Sequence, residues 1–138
     1  MSKKTIAIIF DGASKQPAAA LLAALPPERY FVLPVYITTE GKWLFYDSLT
    51  DSMNNNNWEQ FGTNAVLSPD KTHRGFLRLV GDKFRVLPCD IVFALAQSVN
   101  VGELCQAASI ACITEPPKRT KPAVLRQVES ALSEAHYE

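Results

Sequence analysis

The sequence predicts an α/β fold with an open, mainly parallel sheet and flanking helices. Three observations lead to this prediction: apolar runs rich in β-branched residues alternate with helical segments, turn residues separate them, and neither a heptad pattern nor an internal repeat occurs. The 138 residues match the usual size of one domain, so a single unit over residues 1–138 is expected.

The opening segment predicts a strand, a turn and a helix. Thr5 to Phe10 is a continuous apolar run, as expected for a strand that is buried on both faces, and Asp11-Gly12 is a turn signal. Pro17 suits the first turn of a helix because its missing N–H would be unpaired there, and Ala18 to Leu25 continue with helix-forming residues.

A second strand completes the first β-α-β crossover. It is predicted from Tyr30 to Ile37, where Pro34 favours an edge or irregular position because proline cannot donate to a ladder. Lys42 to Tyr46 is typical of a short aromatic strand. From Asp47 to Asp70 the pattern dissolves into polar residues, including four consecutive asparagines. This composition predicts a long surface excursion, either an ordered loop with helical turns or a mobile flap.

The second half of the chain adds a hairpin and a second β-α-β unit. Gly75 to Val80 and Lys83 to Leu87 flank Gly81-Asp82, which predicts a structural β-arm with a tight two-residue turn. The second unit is a strand, a helix and a strand, predicted at Asp90 to Leu95, Val101 to Ala108 and Ile110 to Ile113.

The last segment predicts an amphipathic helix over about residues 122–136, begun by Pro122. Its apolar residues recur at three- and four-residue spacings, at Val124, Leu125, Val128 and Leu132. We expect this stripe to pack against the α/β body or against a second copy of the chain.

Charge and hydropathy exclude several classes of function. The chain has 14 Lys and Arg against 14 Asp and Glu, so no net charge directs it to nucleic acid or to an anionic membrane. Its apolar stretches fall short of the roughly 20 residues of a membrane span, and no signal-peptide core is visible. Cys89, Cys105 and Cys112 lack Cys-x-x-Cys spacing, which favours buried reduced thiols. A cytoplasmic location is expected.

Four stretches carry a family resemblance. In chain order they are Pro27-Glu-Arg-Tyr30, Thr39-Glu-Gly-Lys-Trp43, Ala65 to Asp70, and the hairpin from Val80 to Leu87. They resemble the N-terminal domain of the D-alanine–D-alanine ligases, the ATP-grasp enzymes that make the dipeptide tip of bacterial peptidoglycan. The resemblance implies a Rossmann-like pre-ATP-grasp domain, and these stretches belong to its scaffold.

The first functional motif of that family is altered. Phe10-Asp-Gly-Ala-Ser-Lys-Gln16 stands where the family reads Phe-Gly-Gly-x-Ser-x-Glu, and the resemblance implies that the glutamate positions the ammonium group of the substrate. Gln16 can accept a hydrogen bond but has no charge. We therefore expect the first substrate subsite to be lost. Gly12 and Ser14 fit a turn whose N–H groups could hold an anion, although a purely structural turn is favoured.

The second functional motif is also degenerate. Gln97-Ser-Val-Asn-Val-Gly-Glu103 stands where the family reads His-Gly-x-x-Gly-Glu-Asp-Gly, so the resemblance places Gln97 at the histidine. Gly102 and Glu103 are the only echoes of the acidic loop. We assign Glu103 to the first turn of a helix, where a carboxylate complements the helix dipole.

No catalytic residue or metal site is predicted. The sequence shows no ATP-grasp nucleotide clamp or acidic magnesium cluster, so ATP and Mg would be needed only with a separate ATP-grasp chain. His73 and His136 lie in polar surroundings and are predicted at the surface. Ser14, Ser68 and Ser98 lack a Gly-x-Ser-x-Gly context, which argues against a serine hydrolase.

Three functional hypotheses follow. The leading one is a catalytically inactive, stand-alone relative of the ligase N-terminal domain that acts as a binding or interaction module. The main alternative is a subunit or fragment of a split D-alanine–D-alanine ligase, and the third is a remnant without a selected activity. The expected partners are a second copy of the chain or an ATP-grasp protein, and whether the chain is complete or a fragment stays open.

Overall fold

A computed structural model describes residues 4–26, 28–38, 40–45, 63–68, 70–80, 82–96, 100–114 and 120–136. The strands are β1 (Lys4–Asp11), β2 (Tyr30–Ile37), β3 (Trp43–Phe45), β4 (Thr63–Leu67), β5 (Gly75–Val80), β6 (Lys83–Pro88), β7 (Ile91–Ala94) and β8 (Ala111–Ile113). The helices are α1 (Lys15–Ala24), preceded by the 3-10 turn Gly12–Ser14, α2 (Val101–Ala108) and α3 (Lys121–His136).

The strands form one eight-stranded sheet in the order β6-β5-β4-β3-β2-β1-β7-β8. The four strands β2, β1, β7 and β8 are parallel to their neighbours within this group. β3, β4, β5 and β6 extend the sheet in antiparallel fashion. The predicted mainly parallel α/β sheet, with flanking helices and a hairpin arm, is confirmed.

Residues 6–10 of β1 are all apolar because both faces of the sheet are covered there. Ile6, Ile8 and Phe10 pack with residues of α1 and α3, whereas Ala7 and Ile9 pack on the opposite face with residues of α2. Side chains alternate between the two faces of a strand, so a strand with two covered faces requires an unbroken apolar run. This explains why the first strand was readable from sequence.

The position of β2 corrects one expectation. Pro34 predicted an edge or irregular strand, but β2 lies in the sheet between β1 and β3, and Pro34 is buried. β3 pairs only with Val35 to Ile37, so Pro34 lies just outside that antiparallel ladder. An interior strand therefore accommodates the proline because its neighbour on one side is short.

The segment predicted as one long excursion contains a strand. Thr63–Leu67 forms β4, which pairs with β3 on one side and with β5 on the other. The interpretation of residues 47–70 as wholly loop or flap is therefore wrong at this end, because partners on both sides stabilise a run too short to be recognised alone. Residues 46–62 lie outside the described residues.

The β5–β6 hairpin is confirmed, and its register depends on one glycine. Val80 is paired with Lys83 across a two-residue turn, and Gly75 is paired with Pro88 at the other end. An ideal Cβ at Gly75 would collide with the backbone carbonyl of Leu87. Only glycine allows the strands to approach this closely without a shift of the backbone.

Gly75→Ala should therefore lower the free energy of unfolding by about 1–3 kcal/mol, because the clash is with backbone and cannot be relieved by a rotamer change. Gly12→Ala is the matched control, since a Cβ there makes only an ordinary contact, 3.8 Å from the Tyr36 hydroxyl. Urea denaturation of both variants would measure the difference. Equal midpoints for the two would contradict the proposed close approach.

The C-terminal helix packs on the body of the domain. Val124 and Val128 of α3 are buried in the cluster that contains Ile6, Ile8 and Phe10, and Leu125 and Leu132 pack against the edge of this cluster. The predicted stripe is confirmed, with the α/β body as its partner. Arg29 also forms a 2.7 Å ion pair with Glu129, but both side chains are half exposed and the pair is screened by solvent.

We expect Val128→Ala to lower the free energy of unfolding by about 1–3 kcal/mol, because it removes buried methyl groups and leaves a cavity. Glu129→Ala, one residue along the same helix, should leave stability nearly unchanged because the side chain is exposed. Thermal unfolding followed by circular dichroism separates the two variants. A similar loss in both would mean that the helix is not anchored through its apolar stripe.

Candidate functional site

The sheet topology creates a crevice between the carboxyl ends of β1 and β7. The chain passes from β1 through α1 to β2 on one side, and from β7 through α2 to β8 on the other. The two helices cover opposite faces of the sheet. Open α/β sheets bind ligands at such a switch point, where the connections diverge. The turn Gly12–Ser14 follows β1 directly, and helix α2, which carries the described part of the second motif, is the next described element after β7.

The turn after β1 is held together by its own side chains. The Ser14 hydroxyl donates to the Asp11 carboxylate at 2.8 Å, and its oxygen accepts the Asp11 N–H at 2.9 Å. Both residues are buried. These reciprocal bonds support the structural interpretation of the turn, because the Ser14 hydroxyl is already used within it.

Two neighbours add an aromatic and a cationic group to this turn. The Lys15 ammonium lies 5.6 Å from the centroid of the Tyr36 ring, and Phe10 packs against the same ring in a tilted arrangement, with 5.5 Å between centroids. Gly12 faces the Tyr36 hydroxyl.

Gln16 is exposed in the first turn of α1. It is placed beside the turn but carries no charge with which to hold an ammonium group. Gln97 lies outside the described residues, so the structure places one of the two predicted substitutions only.

The other motif residues have structural roles at the start of α2. Glu103 is exposed in the first turn of the helix, as predicted, and its N–H donates to the Asn100 side chain at 3.2 Å. Asn100 is the N-cap, a role that the Asn-Val-Gly-Glu pattern could have indicated. An ideal Cβ at Gly102 would lie 3.2 Å from the Thr114 methyl carbon, so this glycine lets α2 pack closely beside the end of β8.

His73 is more constrained than the predicted surface histidine. It is half-buried, its Nδ1 lies 2.7 Å from the Ser68 hydroxyl oxygen, and its Nε2 lies 3.5 Å from the Asp70 carboxylate. Hydrogen bonds from Thr72 hold the pKa of Asp70 below its usual value. Ser68 is only 1% exposed and also accepts the Asp70 N–H, so the cluster stabilises the turn before β5 and leaves no accessible nucleophile.

The three free cysteines lie on one face of the sheet, but their environments differ. Cys89 and Cys105 are buried, whereas Cys112 is only partly buried, which corrects the expectation for that residue. A hydrogen bond between the Cys105 and Cys112 thiols lowers the pKa of Cys112 and raises that of Cys105. Burial raises the pKa of Cys89 to about 12.

Two kinds of feature, metal-binding clusters and membrane-spanning helices, are absent from the described ranges. Within them, no three His, Cys, Asp or Glu side chains gather where they could share a metal ion. None of the helices in these ranges is both long enough and apolar enough to cross a membrane.

Iodoacetamide should alkylate Cys112 before Cys89 or Cys105 in the folded protein, because a lowered pKa gives more thiolate at a given pH and this thiol is partly accessible. Peptide mass spectrometry over time would measure the three rates. Cys105→Ala should shift the rate profile of Cys112 to higher pH, whereas Cys105→Ser keeps a donor and should shift it less. Equal rates at all three thiols would contradict this assignment.

Comparison with known proteins identifies relatives over most of the chain. No protein-family model matches it. A D-alanine–D-alanine ligase from Caldicellulosiruptor bescii is 28% identical over 106 residues, which cover 72% of this chain and 29% of the relative. The Chlorobium limicola enzyme is 33% identical over 114 residues, covering 75% and 31% respectively. The chain thus spans about a third of the length of these relatives.

Solved structures show the same fold. The VanG D-Ala:D-Ser ligase from Enterococcus faecalis matches with a TM-score of 0.71 and 23% identity, over 81% of this chain and 36% of that one. The D-alanine–D-alanine ligase from Coxiella burnetii matches with a TM-score of 0.65 and 16% identity, over 80% and 35%. By sequence and fold, the chain is a relative of the D-alanine–D-alanine ligases and corresponds to their N-terminal part.

Proposed function

We propose that this domain is a non-catalytic binding or interaction module derived from the N-terminal part of a D-alanine–D-alanine ligase. The observation that carries the proposal is the turn after β1. Its buried carboxylate, Asp11, is hydrogen-bonded by Ser14, and the family's glutamate position holds the neutral Gln16. The carboxylate of this turn is therefore buried and already bonded through one oxygen, and the exposed position beside it has no charge for a substrate ammonium group.

The energetic consequence is direct. A charge-assisted hydrogen bond is roughly twice as strong as a neutral one, so Gln16 replaces a strong electrostatic contact with a weak one. A ligand that recruited Asp11 to compensate would have to reach a carboxylate that is buried within the turn.

The ligase activity of the relatives is also a property of much longer proteins. The chain spans 29% of the Caldicellulosiruptor bescii enzyme and 31% of the Chlorobium limicola enzyme. ATP-dependent ligation depends mainly on positioning the phosphates and on metal ions that neutralise them. No described side chain of this domain is assigned to phosphate positioning or to metal binding.

A split ligase is the second candidate. It is favoured by the retention of the ligase fold over 81% of the chain, which would preserve a surface for a separate ATP-grasp protein. In that case the domain would contribute to peptidoglycan precursor synthesis as a subunit.

We expect no dipeptide when the purified 138-residue chain is incubated with D-alanine, ATP and magnesium. The double variant Gln16→Glu, Gln97→His should also be inactive, because two side-chain replacements cannot supply nucleotide positioning. Dipeptide is measured by mass spectrometry, with a complete ligase as the positive control.

Dipeptide from the unmodified chain, in a preparation free of host ligase, would contradict the non-catalytic proposal. Dipeptide that requires both this chain and the separately expressed remainder of the Chlorobium limicola ligase would instead support the split enzyme.

A further inference from the structure

Strand β6 is an exposed edge. It ends the strand order of the sheet, and all of its residues except Leu87 are exposed. Phe84 is 58% exposed and Val86 is 41% exposed, which is unusual for two apolar side chains on one face of a strand. An edge of this kind can pair with another strand unless it is blocked.

The register of the hairpin shows which peptide groups face outward. Val80 and Lys83 flank the two-residue turn, so they form a hydrogen-bonded pair, and the peptide groups of Lys83 and Arg85 point towards β5. The N–H of Cys89, in the same alternating series, donates to the Arg74 carbonyl at 2.8 Å. The peptide groups of Phe84 and Val86 therefore point away from the sheet.

Pro88 fits this alternation. It lies in the outward series, where a missing N–H costs the hairpin no hydrogen bond. It also ends the edge, so the outward donors of β6 are concentrated at Phe84 and Val86.

The charges on β6 specify the partner. Lys83 and Arg85 are exposed on the face opposite to Phe84 and Val86, and neither forms an ion pair with a described residue. An added strand would place its side chains directly opposite these residues. Acidic residues would complement Lys83 and Arg85, and apolar residues on the other face would cover Phe84 and Val86.

The same charges disfavour a second copy of the chain at this edge. Two antiparallel β6 strands related by a two-fold axis keep equivalent faces together. A register centred on Val86 opposes no like charges, but it places Pro88, which has no N–H, opposite Phe84, so main-chain hydrogen bonds are lost there. In a register centred on Arg85, that residue opposes its own copy, and in one centred on Phe84, Lys83 opposes Arg85. Like charges directly opposite each other destabilise a strand pair.

We propose that β6 is a docking edge for an extended segment of a partner protein in which acidic residues alternate with apolar ones. The segment extends the sheet by main-chain hydrogen bonds to Phe84 and Val86, and its acidic side chains select the strand through Lys83 and Arg85. This inference deepens the proposed interaction role and rests on it. Peptide binding is measured apart from dipeptide synthesis, so either can fail alone.

The test uses the full 138-residue chain and two short fluorescein-labelled peptides. In one peptide glutamate alternates with valine, and in the other lysine replaces glutamate. Fluorescence anisotropy should show binding of the glutamate peptide, weakened by salt, and much weaker binding of the lysine peptide. In the double variant Lys83→Glu, Arg85→Glu the preference should reverse, with a loss of about tenfold in affinity for the glutamate peptide. An unchanged preference in that variant would overturn the proposal.

A backbone variant tests the pairing itself. Val86→Pro removes an outward N–H but no donor to β5, so it should abolish peptide binding while urea denaturation shows a folded protein. Val86→Thr keeps the N–H and should retain most of the affinity. Full binding by the folded proline variant would overturn strand addition. Failure of both peptides to bind the unmodified chain, or a dimer in sedimentation that Val86→Pro disrupts, would overturn the assigned partner.

Discussion

The structure depends on the burial of β1 in the middle of the sheet. Residues 6–10 of this strand have no solvent-exposed surface, with β2 on one side, β7 on the other, and helices on both faces. Complete burial of each large apolar side chain contributes about 1.5–3 kcal/mol relative to leaving it exposed. The position of α3 follows from this constraint, because its apolar stripe joins α1 in covering the face of β1 that carries Ile6, Ile8 and Phe10.

The same arrangement produces the crevice and limits what it can bind. A parallel strand between two crossovers that leave in opposite directions necessarily opens a gap at its carboxyl end. In this chain the gap is bordered by Asp11 and Ser14, which use their polar atoms on each other. Their bonds stabilise a sharp change from strand to helix, and both residues are buried, so little of their polar surface is left for a ligand.

The antiparallel half of the sheet has different physical properties. Strands β7 and β1 each pair with a strand on both sides. Among the described strands β6 has one neighbour, and it exposes two apolar side chains on one face and two cationic side chains on the other. Such an edge is a hazard for non-specific pairing, and positive charge restricts which strands can approach. The two halves of the sheet therefore differ in exposure: β1 is buried in the centre, whereas β6 is accessible to solvent.

Local patterns in the sequence determined the elements whose signal is contained within a few residues. These include the apolar run of β1, the helix at Val101 to Ala108, the hairpin turn and the stripe on α3, as well as the neutral Gln16 in the degenerate motif. Tertiary structure decided the interior position of β2, the strand at Thr63–Leu67 and the pairing of the Cys105 and Cys112 thiols. It also decided the partners of Asp11 and His73. Periodicity reports which faces of an element are apolar. It does not report which distant part of the chain supplies the neighbour that covers each face.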